Sequence, residues 1–113
     1  MIRMHPRHNL DHLLLHPVRL SIVATLADVE RAEFGLVRDS VEVSDSMLSK
    51  QVAQLERAGY VDVAKGRVAR HSRTWLRLTS RGMAIYDRHI QALQTIAALH
   101  VPRSAEHPAG IAR

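Results

Sequence analysis

Residues 44–61, Ser-Asp-Ser-Met-Leu-Ser-Lys-Gln-Val-Ala-Gln-Leu-Glu-Arg-Ala-Gly-Tyr-Val, constrain the fold more than any other stretch of this chain. Ser44 has the short hydroxyl side chain that caps a helix N-terminus. Leu48, Val52 and Leu55 then recur at i, i+4 and i+7, a narrow apolar stripe along one helix face. Gly59 is the residue expected just past a helix C-terminus. Residues 60–64 follow with the period-two alternation of a half-buried strand. A capped amphipathic helix that stops and turns directly into a strand leaves few architectures open.

The flanking segments narrow the choice further. Residues 1–8 read as a flexible lead-in, and Asn9 or Asp11 can cap a helical turn that reaches Leu15. Pro17 suits a first helical position, so a helix is predicted over residues 17–29, with Leu20, Val23, Ala24 and Ala27 inward. A shorter helix is predicted over 33–41 with Phe34 and Val37 inward. Residues 73–78 alternate again and place Leu76 and Leu78 in the core, while 66–72 have turn and basic character. Thr79 caps a last helix from Ser80 to Leu99 or His100, and 101–113 read as a disordered tail. The predicted fold class is therefore mainly α with a β-hairpin: three helices, a two-stranded wing and a long C-terminal helix. One domain spans residues 9–100.

Composition excludes several functions. The 113 residues contain no cysteine, which removes disulfides, thiolate catalysis and cysteine-based metal sensing. No Gly-rich phosphate loop, catalytic triad or carboxylate pair at helical spacing is present, so an enzyme is not expected, nor a cofactor. No apolar run reaches the 18 or so residues of a membrane span, and the N-terminus lacks a signal peptide's apolar core; a soluble, cytoplasmic protein without a membrane partner is expected. The formal net charge is +5 with eight histidines uncounted. Lys65, Arg67, Arg70, Arg73 and Arg77 alone equal that excess, with no acid between them. Such a balance favours a polyanionic partner.

Three motifs resemble winged helix-turn-helix regulators of the MarR and ArsR type. Residues 48–61 are similar to their recognition helix, with the rhythm of a leucine, a small polar residue, a basic residue and then Leu-Glu-x-x-Gly before Val61. His16-Pro17-Val18-Arg19-Leu20 resembles the opening of their first core helix. Residues 73–82 resemble the Arg-Thr-x-x-x-Leu-Thr-x-x-Gly that closes the wing. The resemblance spans residues 9–99. It implies a homodimer on a partly palindromic duplex site, often a repressor, sometimes released by a small-molecule effector. Full-length MarR proteins carry dimerisation helices at both ends, whereas here the last helix and the first turn are the segments available for that role.

A helical wheel centred on Leu48, Val52 and Leu55 points Ser46, Lys50, Ala53 and Arg57 outward, with Ser49 and Gln54 on the flanks. Short hydroxyls, an amide and a lysine are side chains that bond base edges and phosphates in the major groove. The expected DNA contacts are Ser44, Ser46, Ser49, Lys50, Gln54 and Arg57 from residues 44–58. Lys65, Arg67, Arg70, His71 and Arg73 from the wing, residues 65–77, are expected on the minor groove or flanking phosphates. In the last helix, Met83, Tyr86, Ile90, Leu93, Ile96 and Ala97 follow coiled-coil-like spacing and are the expected dimer contacts. His5, His8, His12 and His16 would share one face of a continuous helix, a possible zinc or nickel site, but the prolines argue against such a helix and no metal is assigned. Two alternatives stand beside the regulator: a protein-interaction module on the same scaffold, and a histidine-based metal-responsive regulator.

Overall fold

The computed structural model describes residues 4–102. Pro6–Asn9 and His12–Leu15 form two 3-10 turns, followed by α1 (Pro17–Ala27), β1 (Ala32–Glu33), α2 (Phe34–Val41), α3 (Asp45–Arg57), β2 (Val61–Val68), β3 (His71–Leu78) and α4 (Ser80–Ala98). The predicted fold class, α-helical with a hairpin wing and a long C-terminal helix, is the one observed. The start expected to be a loose lead-in is held from Pro6 onward: the two turns form a strap whose first turn lies along α4, with Arg88 donating to Asn9 Oδ1 at 2.9 Å, and whose second packs against α1. The expected tail lies, from residue 103, outside the described residues.

Local chemistry accounts for the element ends. His16 Nδ1 accepts from the Val18 amide at 3.2 Å, and Pro17 opens α1. Ser44 Oγ accepts from the Met47 amide at 3.1 Å, and Thr79 Oγ1 from the Gly82 amide at 2.9 Å. Each satisfies an orphan donor of a helix's first turn. Gly59 adopts φ +80 as α3 ends, a conformation disfavoured for any residue with a Cβ.

Ile22, Val23, Leu26, Val37, Leu48, Leu55, Val61 and Leu76 are essentially inaccessible and form the core between the three helices and the sheet base. The face of α1 differs from the expected one: Ile22 and Leu26 are buried, while Leu20, Ala24 and Ala27 are half-buried. That helix is apolar around most of its circumference, so spacing alone does not fix its rotation. Phe34 is half-buried at the core margin.

The sheet has three strands in the order β1-β3-β2, all antiparallel. Sequence patterning misses β1, because two residues show no periodicity. Its pairing of Ala32 with Leu76 and Glu33 with Trp75 covers the free edge of β3. The hairpin is also longer than expected. Residues 66–72 continue the ladder from Lys65↔Thr74 to Val68↔His71, and Ala69 and Arg70 alone form the turn, at φ 48 and 70. Two central residues with positive φ are the geometry that matches strand twist in a tight hairpin.

A candidate nucleic-acid interface

The outward face of α3 forms as the spacing predicts. Ser44, Ser46, Ser49, Lys50 and Arg57 are exposed, Gln54 is half-exposed, and Leu48, Val52 and Leu55 lie beneath. Asp45 at the start of the helix is paired with Arg38 at 2.8 Å. That pair offsets a carboxylate that would otherwise repel a phosphate, and it ties the end of α2 to the start of α3.

Strand register sorts the wing's cations onto two faces. Directly paired residues share a face of an antiparallel sheet. Val61, Val63, Lys65 and Arg67 therefore lie on the same side as Leu78, Leu76, Thr74 and Ser72. At its base this side is core. Further out, Lys65 and Thr74 line a groove of about 450 Å³ whose other wall is Ser49, Ala53 and Glu56 of α3. Asp62, Trp75, Arg73, Arg77 and His71 occupy the opposite side. There Arg77 pairs with Asp62, Arg73 lies 3.6 Å from Glu33, and Arg31 stacks on the Trp75 ring at 4.1 Å. Arg73, expected on DNA, thus sits on the far face beside an acid. Lys65, Arg67 and Arg70 have no ion-pair partner among the described residues. An exposed helix and a hairpin face carrying free cations across one groove suit a duplex: the helix for the major groove, the wing for the adjacent backbone.

The sequence profile described as the winged helix DNA-binding domain matches residues 18–97. The chain belongs to this winged-helix family. An uncharacterized protein of Methanocaldococcus jannaschii is 26% identical over 73 residues, 65% of this chain and 79% of that one. Among solved structures, a transcriptional regulator homologue from Pyrococcus horikoshii aligns with a TM-score of 0.76 and 27% identity, covering 83% of this chain and 95% of that one. A MarR-family transcriptional regulator from Silicibacter pomeroyi aligns at 0.62 and 25%, covering 80% and 60%.

The remaining expected sites of this winged-helix protein are placed as follows. The docked face of α4 is centred on Gly82, Ile85, His89 and Ala92, about a quarter-turn from the expected seam at 100° per residue. Met83 and Tyr86 pack against the chain's own core. Ile90, Leu93 and Ile96 remain half-exposed and Ala97 exposed. The four N-terminal histidines are not on one helix. His5 and His16 each accept a local amide, from Arg7 and Val18, and a break at Leu10 separates the two turns. Among the described residues no three side chains of metal-binding type converge, and no helix is long and apolar enough to cross a membrane.

Two buried polar residues escaped the sequence reading. Gln51, on the core side of α3, is 4% exposed and accepts from Arg19 Nη1 at 2.8 Å. Arg19 also donates to the Leu13 carbonyl at 2.7 Å, so one guanidinium joins α1, the strap and α3. His89 is 1% exposed within α4. Both sit at helical spacing inside an apolar stripe, Gln51 between Leu48 and Leu55 and His89 four residues after Ile85. That spacing is the signal by which either can be found.

Proposed function

We propose that this winged-helix protein is a sequence-specific regulator of transcription that binds duplex DNA as a homodimer and represses by occluding a promoter. One observation carries the reading: the register that sets Lys65 in the groove shared with Ser49 and Ala53 of α3, with Arg67 on the same face of the hairpin. Helix α3 supplies Ser46, Ser49, Lys50 and Gln54 to base edges and phosphates, and Ala53 lets the helix backbone approach the groove. Lys65, Arg67 and Arg70 hold the flanking backbone. The distal flank of α4, with Ile90, Leu93, Ile96 and Ala97, is the surface a second copy would cover to hold two reading heads about one DNA turn apart. A cleft of about 360 Å³ between the strap and α4, lined by Pro6, Asn9, Arg88, Gln91 and Thr95, is where a small-molecule effector would reach that helix.

Genome-wide recovery of bound fragments followed by footprinting tests the proposal. Enrichment of promoter fragments with a two-fold symmetric footprint is expected, and Lys50→Ala combined with Arg57→Ala and Arg70→Ala should abolish it. Recovery of fragments without a common motif, or a footprint the triple variant leaves unchanged, refutes the assigned face.

A further inference from the structure

Three polar side chains from three separate elements meet behind the DNA-facing surface. The Tyr60 hydroxyl donates to Asp11 Oδ1 at 2.7 Å. The Asp11 amide donates to His89 Nδ1 at 2.9 Å. Asp11 Oδ2 is buried without a hydrogen-bond partner among the described residues. Tyr60 is 5% exposed and stands at the junction of the reading head: its amide bonds the Leu55 carbonyl at the end of α3, and its carbonyl accepts from the Thr79 amide before α4. A Cβ on Gly82 would lie 2.3 Å from that same carbonyl, so α4 packs directly on the junction. Asp11 lies on the strap, and His89 lies two turns along α4 from Gly82.

We propose that Tyr60, Asp11 and His89 form a proton-sensitive latch that couples the α4 helix to the recognition helix and wing, closed while His89 is neutral and opened when it is protonated. The coupling rests on the DNA-binding reading above; the latch chemistry does not. An imidazole whose Nδ1 accepts an amide proton carries its own hydrogen on Nε2. Protonation puts a second hydrogen on Nδ1, facing the Asp11 amide donor, and the bond cannot survive. The unpartnered Asp11 Oδ2 is the acceptor available to the imidazolium, so the ring and the Asp11 carboxylate re-pair and the strap shifts. Because the same carboxylate anchors the Tyr60 hydroxyl, the change reaches the point where α3, β2 and α4 meet.

Charge around the ring is sparse. Asp11 faces it from the strap and Tyr60 stands behind Asp11. On α4, Arg88 is turned to Asn9 and Arg81 lies over the Tyr60 ring at 5.8 Å. Burial holds His89 below the ordinary imidazole value of 6.5, and the Asp11 charge offsets this only in part. The latch therefore stays closed at neutral pH. The unfolded chain takes up this proton near pH 6.5 and the folded one only at lower pH, so acidification destabilises the closed form.

The test uses the full chain in a His71→Gln background, which removes the wing-tip histidine from the comparison. Anisotropy with a fluorescein-labelled mixed-sequence duplex is read from pH 8 downward at fixed ionic strength, beside amide exchange at Asp11 corrected for intrinsic rate, and circular dichroism to set the acid limit of the folded protein. The affinity should fall about tenfold on acidification, the scale of one lost hydrogen bond, while Asp11 protection falls. In His89→Gln both changes should vanish. In Tyr60→Phe, Asp11 should still open with acid while affinity no longer follows. Asp11 protection that stays unchanged down to the most acidic pH at which the protein remains folded, or an equal affinity loss in His89→Gln, overturns the latch. If the duplex binds at neither pH, the DNA reading fails, and the exchange data alone decide whether the latch opens.

Discussion

Replacing Lys65, Arg67 and Arg70 together by alanine tests whether strand register chooses the DNA-facing side of the wing. All three are exposed and have no ion-pair partner among the described residues, so their removal leaves the fold intact. Each phosphate a cation neutralises adds about 0.9 to the slope of log affinity against log salt on B-form DNA. Three contacts thus account for a slope of about 2.7 per protomer. Between about 50 and 200 mM salt, where log concentration changes by about 0.6, that slope corresponds to about 40-fold in affinity. The comparison is Arg73→Ala with Arg77→Ala. These also remove positive charge from the wing, but from the opposite face, beside Glu33 and Asp62. Their removal should change the slope by less than about 0.9. Fluorescence anisotropy over a salt series, with circular dichroism to confirm folding, supplies both slopes. Equal loss of slope per charge removed would show that wing charge acts as an undirected cloud and would refute the register argument.

Three further outcomes follow from local geometry. Gly82→Ala should destabilise the protein by about 2 kcal/mol, read as a lowered thermal midpoint. The new methyl group meets the Tyr60 carbonyl and the Leu78 side chain, which outweighs the about 1 kcal/mol that alanine gains in a helix; an unchanged midpoint would show that α4 can pivot away. Ala69→Asn should stabilise the hairpin by about 0.5–1 kcal/mol, because Ala69 at φ 48 occupies a conformation that asparagine tolerates better. DNA affinity should be unchanged, and any loss of thermal stability contradicts the turn assignment. Burial first, and then the hydrogen bond to Asp11, pushes the Tyr60 hydroxyl up to about 12 from 10.0. The unfolded chain loses this proton near pH 10 and the folded one near 12, so stability present below pH 10 declines across that interval. Urea midpoints at pH 9 to 11.5 should show a decline that Tyr60→Phe removes; an identical decline in both proteins rules out Tyr60 as its source.

Much of the reading head is legible from residue order because its causes are local. Ser44 and Thr79 form the expected caps, Gly59 ends α3, and Leu48, Val52 and Leu55 face inward. These depend on contacts within four residues, so spacing reveals them. The face of α1 was not legible, since a helix that is apolar nearly all round leaves its rotation to its neighbours. The docked face of α4 was not legible for a related reason. The stripe of Met83, Tyr86 and Ile90 satisfies a heptad pattern, but the side chain docked between Ile85 and Ala92 is a histidine. Patterning counts histidine as polar, whereas here the Asp11 amide satisfies its ring nitrogen and permits burial.

Residue order alone carries the element order, the helix ends, the outward chemistry of α3 and the concentration of charge between Lys65 and Arg77. Tertiary structure decided which of those charges face the helix, how the two-residue β1 covers the sheet edge, and which polar side chains lie inside. The physical reason is that capping and helical periodicity act within a turn or two of the chain. Strand register, by contrast, exists only once distant residues pair, and a shift of one residue would exchange Lys65 and Arg67 for their neighbours on the other face. Burial of Gln51 and His89 likewise needed partners 32 and 78 residues away.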